Sequence, residues 1–126
     1  MDDRCFACGS ENQSGLQLKI TENAEGVIAE FTPPDWSQGY DRVVHGGIVA
    51  TILDEMAVWA AYKKGHRSVT AGLTMRIRKA MVVGDRYTAY GKVTGIRHKL
   101  VQADAKIKDK NGEIVASADV KLMKIS

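Results

Sequence analysis

The chain has no long apolar run. Its longest, Met56 to Tyr62, is seven residues, far short of the ~18 that a membrane helix needs. It has only two cysteines, in Cys5-Phe6-Ala7-Cys8-Gly9, and no second pair to complete a four-ligand zinc site within one chain. No strand–helix context follows them, so a redox pair is not expected; they are read as reduced thiols in an N-terminal loop. Excess charge is small: 18 basic against 15 acidic residues, a net +3. That does not argue for nucleic acid, but suits a small anionic ligand. There is no internal repeat, no Gly-x-Gly-x-x-Gly and no Walker loop. Ser68 and Ser117 lack a nucleophile elbow, so Ser-His-Asp hydrolysis is unsupported. His66 and His98 have no partners at metal or triad spacing and read as surface residues. The start, Met1-Asp2-Asp3-Arg4-Cys5, is acidic and polar, unlike a secretory signal, and a cytoplasmic location is expected.

What remains is an ordinary globular composition, 44% hydrophobic and 26% charged over 126 residues. One domain is expected over residues 15–126, after an irregular lead-in over 1–14. Gly15 to Ile20 alternates weakly and predicts a strand. Asn23-Ala24-Glu25-Gly26 signals a turn, and Val27 to Thr32 a second strand that Pro33-Pro34 stops. Asp35 to Val44 reads as a loop carrying Trp36, Gln38 and Tyr40.

Ile48 to Tyr62 predicts the one long helix. It has no Pro or internal Gly, and Lys63-Lys64-Gly65 closes it with cations and a glycine. Its apolar residues run nearly all round, the mark of a buried helix. The rest is strand. Val69, Ala71, Leu73, Met75 and Ile77 alternate with polar residues; Val83-Gly84-Asp85 turns the chain; Arg86 to Gly95 follows. Val101 to Ile107 and Ile114 to Leu122 flank Asn111-Gly112, which suits a type I′ hairpin turn. Strand, strand, helix and four strands predict an α+β fold in which one antiparallel sheet curls around the helix. One sheet cannot cover a helix on every side, so a second chain is expected to cover the rest.

Three features can carry chemistry. At His45-Gly46-Gly47 a helix starts without a Ser, Thr, Asp or Asn cap. Its first N–H groups are expected to be open to an outside oxygen, at the positive end of the helix. Asp54 and Glu55 are the only charges between Gly46 and Tyr62, and a carboxylate in an apolar helix seldom persists without a reason. Gly46 and Asp54 stand ~12 Å apart along the helix axis. One small reacting group cannot touch both in the same helix, so a shared site draws them from two chains.

The stretch from Val44-His45-Gly46-Gly47 to Leu53-Asp54-Glu55 resembles the signature of the hotdog-fold acyl-CoA thioesterases of the PaaI-like group. So do Cys5-Phe6-x-Cys8-Gly9-x-x-Asn12-x-x-Gly15-Leu16 and Gln38-Gly39-Tyr40. The resemblance implies a hotdog fold and hydrolysis of an acyl-CoA to free acid and thiol, without metal or organic cofactor. Asp54 matches the acid that serves as nucleophile or general base. Gly47 or Gly46 matches the N–H that polarises the thioester carbonyl, and His45 the histidine that holds the loop or the carbonyl. Thr70 matches a residue that holds the attacking water, reached through a site between chains, and Gln38 lies near an assisting loop amide. Arg76, Arg78, Arg97 and Lys99 become candidates for the phosphates of coenzyme A. A homodimer, or a tetramer of two dimers, is implied, with no nucleic-acid or membrane partner. A non-catalytic acyl-CoA-binding hotdog and a hotdog hydratase or dehydratase are the alternatives.

Overall fold

A computed structural model describes residues 15, 16 and 18 to 125. Cys5, Cys8 and the rest of the lead-in lie outside the described residues. The order is β1 (Thr21–Glu22), β2 (Val27–Phe31), a 3-10 turn (Asp35–Ser37), β3 (Gln38–Tyr40), β4 (Val43–Val44), α1 (Gly46–Lys63), β5 (Ser68–Ile77), β6 (Tyr87–Arg97), β7 (Leu100–Asp109) and β8 (Ile114–Lys124). Six strands form one antiparallel sheet in the order β1-β2-β6-β7-β8-β5, and β3 pairs with β4 beside it. Helix α1 lies across this sheet, as the sequence predicts. Among the described residues no helix is long and apolar enough to cross a membrane.

The core forms between α1 and one face of the sheet. Ile52, Leu53, Met56 and Ala57 of α1 are fully buried with Ala89, Val101, Ile107, Ala116 and Leu122. Small residues let the layers close. A Cβ at Gly91, in the middle of β6, would run into the carbonyl oxygen of Met56. Sheet and helix backbones touch there, as only glycine permits. The helix stops in a Schellman arrangement: His66 N–H donates to the Ala61 carbonyl at 3.0 Å and Gly65 N–H to that of Tyr62 at 2.9 Å, with Gly65 at φ 91°.

Three expectations need correction. The described residues between 15 and 20 form no strand; pairing begins at Thr21. Leu18 is buried, and Leu16 and Ile20 pack on the core, so their alternation serves packing without a ladder. The Asn111-Gly112 turn is not type I′, which needs positive φ at both residues. Only Gly112 has it, at 82°, and Asp109 and Glu113 close a three-residue loop instead. Finally, the strict alternation read along Val69 to Ile77 is broken. Register shifts between Thr70 and Gly72: Thr70 pairs with Leu122, but Gly72 pairs with Lys121. Ala71 is therefore a bulge. Residues directly opposite share a face. Leu122 is buried and Lys121 exposed, so the bulge moves Thr70 onto the helix side with Leu73 and Met75, and leaves Val69 outside.

The two edges of the sheet differ. Strand β1 has two residues, which blunts that edge. Strand β5 has ten, with Val69 49% and Ile77 44% exposed. On α1 a matching stripe stays partly open: Gly47, Thr51, Asp54, Val58 and Tyr62 recur every three or four residues.

Candidate active site

Asp54 sits in the middle of this stripe, half-buried, where α1 faces β5. Thr70 Oγ1 donates a hydrogen bond to Asp54 Oδ1. The sequence suggests that the two meet only through a site between chains; the bulge at Ala71 brings them together within one. A hydroxyl bound to one carboxylate oxygen fixes the carboxylate plane and leaves Oδ2 to act on a bound molecule. Glu55, the next residue, points elsewhere on the helix and is buried at 9% exposure.

A second group of candidate residues lies at the helix start. The expectation of an uncapped helix is overturned. His45 is the N-cap, and its Nδ1 accepts the Gly47 N–H at 2.8 Å. The signal was missed because a histidine ring rarely takes a place that short oxygen-bearing side chains fill. Since Nδ1 accepts, the neutral ring carries its proton on Nε2, which makes Nε2–H a donor on the exposed side. Ile48 and Val49 N–H groups are both given to the His45 carbonyl, at 2.9 and 3.2 Å. Among the described residues the Gly46 N–H has no partner. Gly46, rather than Gly47, is the open donor at the positive end of the helix. Its surroundings are uncrowded, since a Cβ there would have Ile77 Cδ1 as its nearest neighbour, at 4.0 Å.

Gln38 stands next to this corner. It pairs with Val44, and a Cβ on Gly39 would lie 3.2 Å from His45 Cα. Its Oε1 accepts the Arg42 N–H at 3.3 Å, across a turn where Arg42 has φ 67°. The side chain steadies the β3–β4 turn that leads into His45, and its amide nitrogen is left for a ligand.

The four basic candidates separate. Arg97 and Lys99 flank the β6–β7 turn, beside the first residues of β5: Lys124 N–H donates to the Lys99 carbonyl at 2.8 Å, and Lys124 pairs with Ser68. Arg78 follows the far end of β5, where its N–H bonds Val115. Arg76 pairs with Ser117 on the outer face of the sheet, away from α1. None of the four is drawn together with Asp54 by a contact within the chain. The candidate residues thus fall into two groups: Asp54 with Thr70, and Gly46 with His45 and Gln38. They lie at the two ends of β5, since Gly46 neighbours Ile77 and Asp54 holds Thr70.

Comparison with known proteins agrees with this architecture. The family model of the thioesterase superfamily matches residues 42–116. No curated protein matches the chain in sequence. Among solved structures, a thioesterase superfamily protein superposes with a TM-score of 0.91 at 21% identity, covering 97% of this chain and 61% of its own. The chain thus spans about three-fifths of that protein's length. A hypothetical thioesterase from Streptococcus pneumoniae, solved with coenzyme A, gives 0.81 at 21% identity over 86% of this chain and 89% of its own. An Asp-to-Ala and a Thr-to-Ala variant of that protein have also been solved. The Escherichia coli PaaI protein of the phenylacetic acid degradation operon gives 0.80 at 21% identity over 86% and 84%. With the family model covering more than half of its length and one long helix cradled in a six-stranded antiparallel sheet, the chain belongs to the thioesterase superfamily and adopts the hotdog fold.

Proposed function

We propose that the protein hydrolyses an acyl-CoA thioester to the free acid and coenzyme A, in sites shared by two copies of the chain. The observation that carries this reading is the half-buried Asp54 carboxylate, oriented by Thr70, on a stripe of α1 that the sheet of its own chain leaves partly open. The Gly46 N–H of the partner subunit, which donates to no oxygen among the described residues of its own chain, is free to donate to the thioester carbonyl, where negative charge develops. Asp54 Oδ2 then acts in one of two ways. As a general base it takes a proton from water, whose oxygen attacks the carbonyl carbon. As a nucleophile it attacks that carbon itself, and water hydrolyses the mixed anhydride. In both the carbon–sulfur bond breaks: in the first route the proton taken by Asp54 passes to the departing thiolate, and in the second the thiolate leaves as the anhydride forms and is protonated by the proton released when water hydrolyses that anhydride. No metal or organic cofactor enters the reading, and it places the enzyme in the cytoplasm.

The long exposed edge of β5 supports the two-chain site. Two β5 strands paired antiparallel about a two-fold axis near Thr74 would set Leu73 opposite Met75 of the partner subunit. The bulge at Ala71 absorbs one residue, so Thr70 would meet Ile77 of the partner subunit. Gly46 neighbours Ile77, so the same pairing carries the partner's Gly46 to Thr70 and Asp54. It also covers an edge that would otherwise invite unspecific pairing.

A panel of acyl-CoAs with a free-thiol readout tests the reading. Thiol release with at least one acyl group is the expected result. Saturable binding without release would instead favour a non-catalytic acyl-CoA-binding protein, and neither would discard both.

A further inference from the structure

We propose that the outer face of the sheet, on the side away from α1, carries a second binding site for a phosphate-type oxyanion, centred over Ser117 between Arg76 and Lys106. The strand register places these groups in one row. Arg76 lies directly opposite Ser117, and Ser117 directly opposite Lys106. Adjacent strands are ~4.8 Å apart, so both cations start within side-chain length of the serine between them. The row continues to Tyr90, opposite Lys106. Lys106 Nζ and Lys108 Nζ stand 5.5 and 5.2 Å from the Tyr90 ring centre. Two ammonium groups converge on one ring, although like charges repel.

These residues line a groove of about 590 Å³ on that face. Among the described residues no carboxylate forms a salt bridge with Arg76, Lys106 or Lys108. Lined by Arg76, Lys92, Lys106 and Lys108 against Glu25, Asp104 and Asp119, the groove carries an excess of cations, and Arg76, Lys106 and Lys108 can take an anion from outside. Asp104 and Asp119 line the same groove one row along, opposite each other. Burial and the hydrogen bond with Asp119 raise the pKa of Asp104. Glu25 lines the rim. Asp54 and Thr70 lie on the other side of the sheet, so the site is separate from the one that acts on the thioester.

The test is a titration of the full protein with inorganic pyrophosphate at low salt, followed by amide chemical shifts. Saturable shifts are expected at Lys106 and Ser117, with Gly46, Gly47 and Thr70 unmoved. Lys106→Gln should weaken binding by ~10-fold, and Arg76→Gln with Lys106→Gln should remove it, as the loss of charge-assisted bonds implies. Thermal melts of both variants confirm folding. A parallel titration with ADP identifies the source of the oxyanion. Tighter binding than pyrophosphate, with shifts at Tyr90, supports a nucleotide-like ligand at this site; equal or weaker binding supports a free oxyanion. The proposal is overturned if no saturable shift occurs, if the double variant binds as wild type does, or if the shifts fall only around Gly46 and Thr70.

Discussion

Thr70 Oγ1 donates to Asp54 Oδ1 across 16 residues of sequence, within one chain. The hydroxyl orients the carboxylate before any substrate or second subunit arrives. Asp54→Asn keeps the shape and this contact but removes the base, so turnover should fall by at least ~100-fold, the usual scale for a general base. Thr70→Ala should lower kcat by ~10-fold or more, the worth of a hydrogen bond to a charged group, with Thr70→Ser recovering most of it. Unchanged turnover in Asp54→Asn would move the chemistry to Glu55.

Gly46 and Gly47 should separate cleanly. Gly46→Pro deletes the open N–H, and the site tolerates it: proline suits the first helical position, and His45, at φ −58° and ψ 135°, has the extended backbone that precedes proline. This variant should fold normally and lose ~100-fold or more in kcat, the scale of one oxyanion donor. Gly47→Pro deletes the N–H that His45 already holds and crowds the His45 ring, 3.0 Å from an added Cβ, so its main cost should be ~1 kcal/mol or more of stability, the worth of a cap. Equal losses of kcat in the two would return the oxyanion role to Gly47.

Gly91 makes a prediction about packing. A methyl group there meets the backbone carbonyl of Met56, which no rotamer change can move aside. Gly91→Ala should destabilise the fold by ~1–3 kcal/mol, the range of overpacked cores, with a matching fall in melting temperature. A melting temperature equal to wild type would show that α1 shifts freely on the sheet.

Asp109 gives a pH dependence. Its Oδ1 accepts the N–H groups of Asn111 and Glu113, at 2.9 and 3.0 Å. The Glu113 bond is the first cause that holds its pKa below the ordinary value; Asn111 and Lys79 add to it, against burial. A depressed folded pKa means that the stabilisation is present above the unfolded value and is lost as pH falls through the folded one. Wild type should therefore melt higher than Asp109→Ala at neutral pH. The gap should close as the pH falls below ~4, where the unfolded carboxyl begins to protonate. A gap that stays constant down to acid would assign the effect to packing.

The order of the main elements and the two groups of candidate residues were legible because they rest on local signals. A continuous apolar helix, an acid inside it and a glycine pair before it can all be read without knowing what they touch. The bulge at Ala71 could not be read so. Its existence depends on whether Thr70 faces Leu122 or Lys121, fifty residues on, and a one-residue slip changes the face of every side chain before it. The cap at His45 was hidden for a related reason, since the ring reaches Gly47 N–H only in the backbone geometry that the β3–β4 turn imposes. The outer-face row of Arg76, Ser117 and Lys106 joins three strands, and no spacing along the chain announces it.

The proposed division of the site between chains has the sharpest consequence. Asp54 and Gly46 of one helix are ~12 Å apart along its axis, and each neighbours the opposite end of β5. Asp54→Asn alone, or Gly46→Pro alone, damages both sites of a two-fold dimer. In a mixed dimer one site combines both defects and the other combines neither. That second site has an intact Asp54 from one chain and an intact Gly46 from its partner. Random pairing makes half of all dimers mixed, so co-expression of the two variants should recover about a quarter of wild-type sites. Co-expression is the right format because separately purified dimers exchange subunits only as fast as they dissociate. Differently tagged chains allow the mixed species to be isolated, and its kcat per dimer should be about half that of wild type. A mixed dimer with no more activity than its inactive parents would place Asp54 and its oxyanion donor in the same chain.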